Sequence, residues 1–268
     1  MNKRSLIKQI KLTQFRVRIV RIIKIIAFFC SDYFKLFLDF LLSNNIICTM
    51  CFSAPVSFIL GATLIGSGAY SVKQVKNRAY LPLAMMPIFF GIQQILEGGV
   101  WLALAAHNQV LTKIFALGFL FFAGFFWPFW IPFSAYQLEP LGWRKMVTKW
   151  FILVAIVLSS VGYLLLLINY QTLRPTVMCH SIYYENFMST LDSSVYLGLY
   201  IVYGIVTLFP FIISSLASLR FFAVLMSISL AITFLFYSYA YASVWCFFAA
   251  VLSFYIIWIV RVSSGKKR

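Results

Sequence analysis

The chain is 268 residues long, 63% hydrophobic and only 10% charged, whereas a soluble domain carries about 25% charged residues to keep its surface in water. That composition excludes an ordinary water-exposed globule and calls for a surface that faces lipid. The formal charge of +16 comes from 22 Lys and Arg against 6 Asp and Glu. These bases sit in the leading segment, the short loops and the tail, never as a stripe beside stacking aromatics, so nucleic acid is excluded as a partner.

The leading stretch, Met1–Thr49, differs from the rest. Eight bases from Lys3 to Lys24 precede an apolar run over about 25–48, which Asp32, Lys35 and Asp39 interrupt. Each such charge costs about 2.5–3.5 kcal/mol near the centre of a spanning helix. Three readings stand side by side: an interfacial amphipathic helix, an extra span, or an extension added by an upstream start codon. The small-residue cleavage site of a signal peptide is missing.

From Met50 onward the pattern is that of an all-α, polytopic transmembrane bundle. Seven spans are expected, at about 54–72, 81–106, 114–136, 150–168, 195–214, 221–240 and 243–260, each close to the ~20 residues one crossing requires. No Asp, Glu, Lys or Arg occurs anywhere in 221–260, long enough for two of them. Odd loops and the tail are basic: Lys73, Lys76 and Arg78; Arg144, Lys145 and Lys149; Arg220; then Arg261, Lys266, Lys267 and Arg268. The even loops hold only Lys113 and Arg174. The positive-inside rule therefore puts Met50 outside and Arg268 inside. The longest loop, about 169–194, falls on the outer face and holds Cys179, His180, Glu185 and Asp192. Pro82, Pro87, Pro128, Pro132 and Pro210 fall within spans, where neighbouring helices must satisfy the carbonyls they free. Gly61, Gly66, Gly91, Gly98, Gly124 and Gly204 are expected at close helix approaches. No internal repeat of the inverted-transporter kind is visible.

Glu97 is the acidic side chain inside these spans. In the segment FGIQQILEGGVWL, Gln93 and Gln94 precede it by four and three residues and Trp101 follows by four. At 3.6 residues per turn the four share one helix face. A carboxyl group there must be neutral, paired or wetted. One reading is a ligand-binding or proton-handling site in a cavity; the other is an interhelical clamp.

Topology gathers a second, weaker set at the outer face: Cys51, His107, Cys179, His180 and Cys246. Thiolate and imidazole ligands suit zinc or copper, and an outer disulfide fits an oxidising compartment equally well. No CxxC or HxxxH spacing supports a metal, and packed free cysteines are common in helices. With only two histidines in the chain, a three-histidine zinc site is excluded. Trp127 and Trp130 in FFWPFWIP read as interfacial anchors, Tyr237, Tyr239 and Tyr241 as an outer aromatic belt, and Glu139 with Arg144 and Lys145 as a solvated inner loop. No nucleotide, flavin or metalloprotease fingerprint occurs, and no cofactor is expected.

Four phrases in order, MCFSAPVSF (50–58), LPLAMMPIFFGIQQILEGGVWL (81–102), FWPFWIP (126–132) with LEP (138–140), and SVWCFFAAVLS (243–253), resemble an uncharacterised bacterial family of multi-pass membrane proteins. The resemblance covers about 50–261. It implies a multi-pass protein of the cell membrane, and it implies that Met1–Thr49 is additional, because members open at the MCFSA phrase. It carries no activity. The recurrent phrases fall on Cys51, Ser53, Gln93, Gln94, Glu97, Trp101, Trp127, Pro128, Glu139, Trp245 and Cys246. The favoured expectation is a sensor or carrier that binds a small molecule around Glu97. The alternatives are a structural or assembly protein and, last, an enzyme acting on a lipid or other hydrophobic substrate, with His107 or His180 assisting Glu97.

Overall fold

A computed structural model describes residues 53–178, 180–237 and 240–263. Met1–Thr49, Cys51, Cys179 and Tyr239 lie outside the described residues, and with them the readings attached to those positions.

Among the described residues seven helices follow one another in a polytopic all-α bundle: α1 (Ala54–Lys73), α2 (Leu81–Ala105), α3 (Gln109–Leu138), α4 (Trp143–Ile168), α5 (Ser193–Ile212), α6 (Ala217–Phe236) and α7 (Tyr241–Ser263). Six are long and apolar enough to cross a bilayer. The other, α5, has 20 residues, or about 30 Å of helix. This is the architecture of an integral membrane protein.

Local chemistry sets the helix ends and irregularities. Pro occupies the first turn of α1 and of α2, where a missing N–H is harmless. Asn108 and Asp192 cap α3 and α5 with their side-chain oxygens. Within α3, Phe122–Phe126 forms a π-helical turn directly before Trp127–Leu138. Pro128 explains it: its ring cannot sit against the carbonyl of Gly124 in a regular α-helix, and the wider turn relieves the clash. Midway along α7 the helix is interrupted at Ser253, between Tyr241–Leu252 and Phe254–Ser263.

Close glycine packing joins α1 to α2. A Cβ on Gly91 would lie 2.6 Å from the Gly61 carbonyl oxygen, and one on Gly61 would lie 2.8 Å from the Gly91 oxygen. Gly98 meets the ring of Phe58 in the same seam, and Gly204 of α5 approaches Leu230 of α6. Gly66 and Gly124 face open space, so two of the six expected close approaches are absent. The main core joins α1, α2, α3, α5, α6 and α7 through residues such as Leu64, Phe90, Trp127, Phe222 and Trp245. By contrast α4 exposes Leu153, Val157, Val161 and Leu164, as a lipid-facing helix does.

The long loop between α4 and α5 is more ordered than its sequence suggests. Strands β1 (Arg174–Met178) and β2 (Ser181–Glu185) pair antiparallel in register Arg174 to Glu185 through Met178 to Ser181. β2 is largely buried, with Ser181 and Ile182 fully so and Tyr184 nearly so. The hairpin lies against α3 and α7: Tyr184 stacks on Phe119 at 4.9 Å, and both belong to one apolar cluster with Val100, Ile182 and Cys246.

Three expectations are corrected by burial. Trp127 is 2% exposed and stacked 3.7 Å above Phe90, so it is a core residue rather than an interfacial anchor; Trp130 is half-buried and donates to the Pro82 carbonyl. Tyr237 and Tyr241 are buried rather than part of an exposed belt. Glu139 is 2% exposed, and so is not a solvated loop residue. The Ser214 hydroxyl and Ser215 N–H donate to its Oε1 at 2.5 and 2.8 Å, which ties the end of α3 to the α5–α6 turn.

Candidate functional site

The expected face of α2 is present and buried. Gln93 and Gln94 are fully buried and Glu97 is 3% exposed. Glu97 stands eight residues before Ala105, the last residue of α2, so it lies about 12 Å from that helix end. That places it about 6 Å past the midpoint of α2, toward the end that carries His107.

Partners come from three other elements. The Ser243 hydroxyl, in the first turn of α7, donates a very short hydrogen bond to Glu97 Oε1. Gln94 Nε2 donates to Glu97 Oε2 at 3.3 Å. Gln93 uses both ends of its amide: Nε2 donates to the Cys246 sulfur at 3.2 Å, and Oε1 accepts from Trp127 Nε1 at 2.7 Å. α2 is thereby bonded to α3 and, at two points, to α7. Tyr184 of the hairpin is close enough to Glu97 and Cys246 to be affected electrostatically by both. Burial first, then those two neighbours, hold its hydroxyl well above the usual phenol range. Tyr184 is accordingly a neutral O–H donor at any physiological pH.

Several polar atoms in this region have no hydrogen-bond partner among the described residues: Gln94 Oε1, Trp101 Nε1, the Tyr184 hydroxyl and Ser181 Oγ. Leaving a buried donor or acceptor unmatched costs about 1–3 kcal/mol, so such groups rarely gather without a reason. Here Trp101 follows Glu97 by one helical turn, Gln94 precedes it by about one, and Tyr184 approaches from the hairpin. Together they offer N–H and O–H donors and a carbonyl acceptor around a carboxyl group.

The weaker outer set does not assemble around one point among the described residues. Cys246 is a free, buried thiol held by Gln93; it belongs to the Glu97 cluster. His107 and His180 are exposed and share a left-handed backbone, with φ 51 and 58. At His107 that conformation closes α2: the His107 N–H reaches the Leu104 carbonyl and the Asn108 N–H the Ala103 carbonyl, a turn usually given to glycine. Among the described residues no three His, Cys, Asp or Glu side chains are grouped to hold a metal.

Ser243, Tyr184 and the donor role of Trp127 were not assigned to the site from sequence. Ser243 and Trp127 lay in the phrases singled out there, but a serine in an apolar run usually bonds its own helix. Tyr184, in a long loop, gives no signal at all. Trp127→Phe is expected to keep the stack on Phe90 and leave Gln93 Oε1 unmatched, destabilising the protein by about 1–3 kcal/mol. Thermal unfolding in detergent checks this, and an unchanged midpoint refutes the role given to the Trp127–Gln93 bond.

A family model matches residues 50–268, which include every residue of this cluster. The chain belongs to a family of unknown function (DUF6629). No curated protein and no solved structure matches the chain. The family carries no activity to the site, so function rests on the chemistry of the cluster.

An apolar groove of about 500 Å³ runs along α5 and α6, lined by Leu197, Ile201, Ile205, Leu230, Phe234 and neighbouring residues. Glu97 does not line it. Its wall is open and apolar, suited to lipid chains and not to the polar chemistry above.

Proposed function

We propose that this is a non-enzymatic membrane protein that binds a small molecule at the cluster around Glu97, as a sensor or carrier does. The observation that carries the reading is the group of unpartnered polar atoms on Gln94, Trp101 and Tyr184 beside the Glu97 carboxyl. A helix clamp alone needs no spare donors and acceptors, whereas a binding site needs a few placed polar groups inside an apolar wall. Under the orientation favoured by the basic loops, the hairpin end faces the outside, and the ligand comes from there.

A structural role is the second reading. It is favoured by Gln93, whose amide bonds at both ends, to Trp127 and to Cys246, and by the Glu97–Ser243 bond joining α2 to α7. An enzyme is the least supported, since neither histidine is bonded to Glu97 and both are exposed.

Infrared difference spectroscopy of purified wild type and Glu97→Gln across a pH titration separates the two leading readings. For a binding site, the carboxyl band lost in Glu97→Gln titrates with pH and shifts when membrane or cell extracts are added. A band locked at every pH and indifferent to extracts means a clamp, and the binding reading falls.

A further inference from the structure

The α4–α5 connection closes over the cluster by a device that is stable only through what it buries. A single two-stranded hairpin is marginal in water, so β1 and β2 hold their place through inward contacts. Alternation along a strand puts Ile182 and Tyr184 on one face. Ile182 is fully buried in the apolar cluster of Val100, Ala116 and Phe119. Tyr184 lies flat against Phe119, with an interplanar angle of 8°, and its neighbour Tyr183 turns away to bond Ser189. Outside that cluster, among the described residues, Lys113 Nζ donates to the Gln171 carbonyl before β1, and after β2 Asn186 donates to the Tyr184 carbonyl and caps the turn that follows.

Both polar side chains that β2 buries, Ser181 and Tyr184, lack a hydrogen-bond partner among the described residues. An unmatched hydroxyl at the anchor of a marginal hairpin weakens its closed position. Anything that accepts from that hydroxyl strengthens it, because a ligand shifts a conformational equilibrium by its differential affinity for the two states. Trp101, packed against the same apolar cluster, offers its Nε1 as a second donor, and Gln94, bonded to Glu97, offers its Oε1 as an acceptor.

Building on the binding reading above, we propose that the hairpin is the lid of the Glu97 site and that Tyr184 is the lid residue that touches the ligand. The ligand class follows from the unmatched groups: a small polar molecule carrying an oxygen acceptor beside an N–H or O–H, as amides and hydroxylated compounds do. Its oxygen accepts from the Tyr184 hydroxyl and the Trp101 indole, and its own proton is donated to Gln94 Oε1. Entry is from the hairpin end, past β2, and not from the lipid side. The Cys246 thiol, in the same cluster as Tyr184, reports on whether that route is open.

The test uses the full chain in detergent and methyl methanethiosulfonate as the probe, with labelling at Cys246 followed by mass spectrometry. Tyr184→Phe keeps the stack on Phe119 and removes the unmatched hydroxyl, so the lid closes more firmly. Labelling of Cys246 should slow by about tenfold, the effect of relieving one buried unmatched group. Tyr184→Ala removes the anchor itself, and labelling should become faster than in wild type. Thermal unfolding of each variant confirms that it is folded. One rate common to all three forms overturns the lid and leaves the Glu97 site standing. No labelling in any form means that the cluster is closed to solution, and both the lid and the binding reading fall.

Discussion

Gly91→Leu is expected to unfold or severely destabilise the protein, and Gly66→Leu to leave it unchanged. At Gly91 the nearest atoms to an added Cβ are the Gly61 carbonyl oxygen at 2.6 Å, the Ile65 side chain at 2.7 Å and the Ile65 amide nitrogen at 3.0 Å. Two of the three are backbone atoms, which no rotamer change moves aside. The helices must separate, and separation also loosens the seats of Gly61, Gly68 and Gly98, whose Cβ positions are 2.6–2.9 Å from their neighbours. In a membrane this seam holds by close contact rather than by a hydrophobic force between helices, so distance is what keeps α1 in place. Overpacking commonly costs about 1–3 kcal/mol, and more where nothing can give; Gly91 belongs with the larger values. Gly66 is on the same helix as Gly61, yet its Cβ would meet nothing within 4 Å, and a substitution there should stay within about 0.5 kcal/mol. Thermal midpoints of the two variants in one detergent decide the matter. Equal midpoints refute the packing described for α1 and α2.

This contrast also shows where sequence reading stops. Helices were legible because a crossing is a local property: about 20 apolar residues in a row announce it. Which face of a helix meets a neighbour is not local, and Gly66 and Gly61 are alike in sequence while one faces open space and the other a carbonyl. The Gln93, Gln94, Glu97 and Trp101 face was legible for a related reason, since helical spacing alone puts those four together. Their partners were not. Ser243 is 146 positions from Glu97, Cys246 is 153 from Gln93 and Trp127 is 34 from Gln93, and each choice depends on how helices far apart in the chain come to pack. Trp127 was misread because tryptophan near proline at a span end is typical of an interface, until a stacking partner and an amide acceptor are in place. The hairpin escaped notice because β1 and β2 are five residues each, short enough to disappear in a loop rich in polar residues.

Glu139 was misread in the same way, and it carries the second large expected effect. Glu139→Ala should destabilise the protein strongly, whereas Glu139→Gln should be nearly neutral. Glu139 Oε1 accepts from both the Ser214 hydroxyl and the Ser215 N–H. Ser214 is fully buried and its Oγ in turn accepts from the Leu216 N–H at 3.2 Å. Arg220 Nη1 closes the turn from the other side, donating to the Ser214 carbonyl at 2.7 Å and the Ser215 carbonyl at 3.2 Å. Alanine removes an acceptor that two donors share, and leaving the buried Ser214 hydroxyl without it costs about 1–3 kcal/mol. Glutamine retains a carbonyl oxygen in the Oε1 position, gives up the carboxylate charge, and exchanges one buried unmatched group for another, an amide NH2 in place of Oε2, which has no partner among the described residues. The ranking of midpoints, wild type close to Glu139→Gln and both well above Glu139→Ala, identifies Glu139 as the hydrogen-bond acceptor that fastens α3 to the α5–α6 turn. If Glu139→Gln falls as far as Glu139→Ala, the negative charge itself is what the turn requires, and Glu139 acts as a counter-ion to the bases around it rather than as a carbonyl-like acceptor.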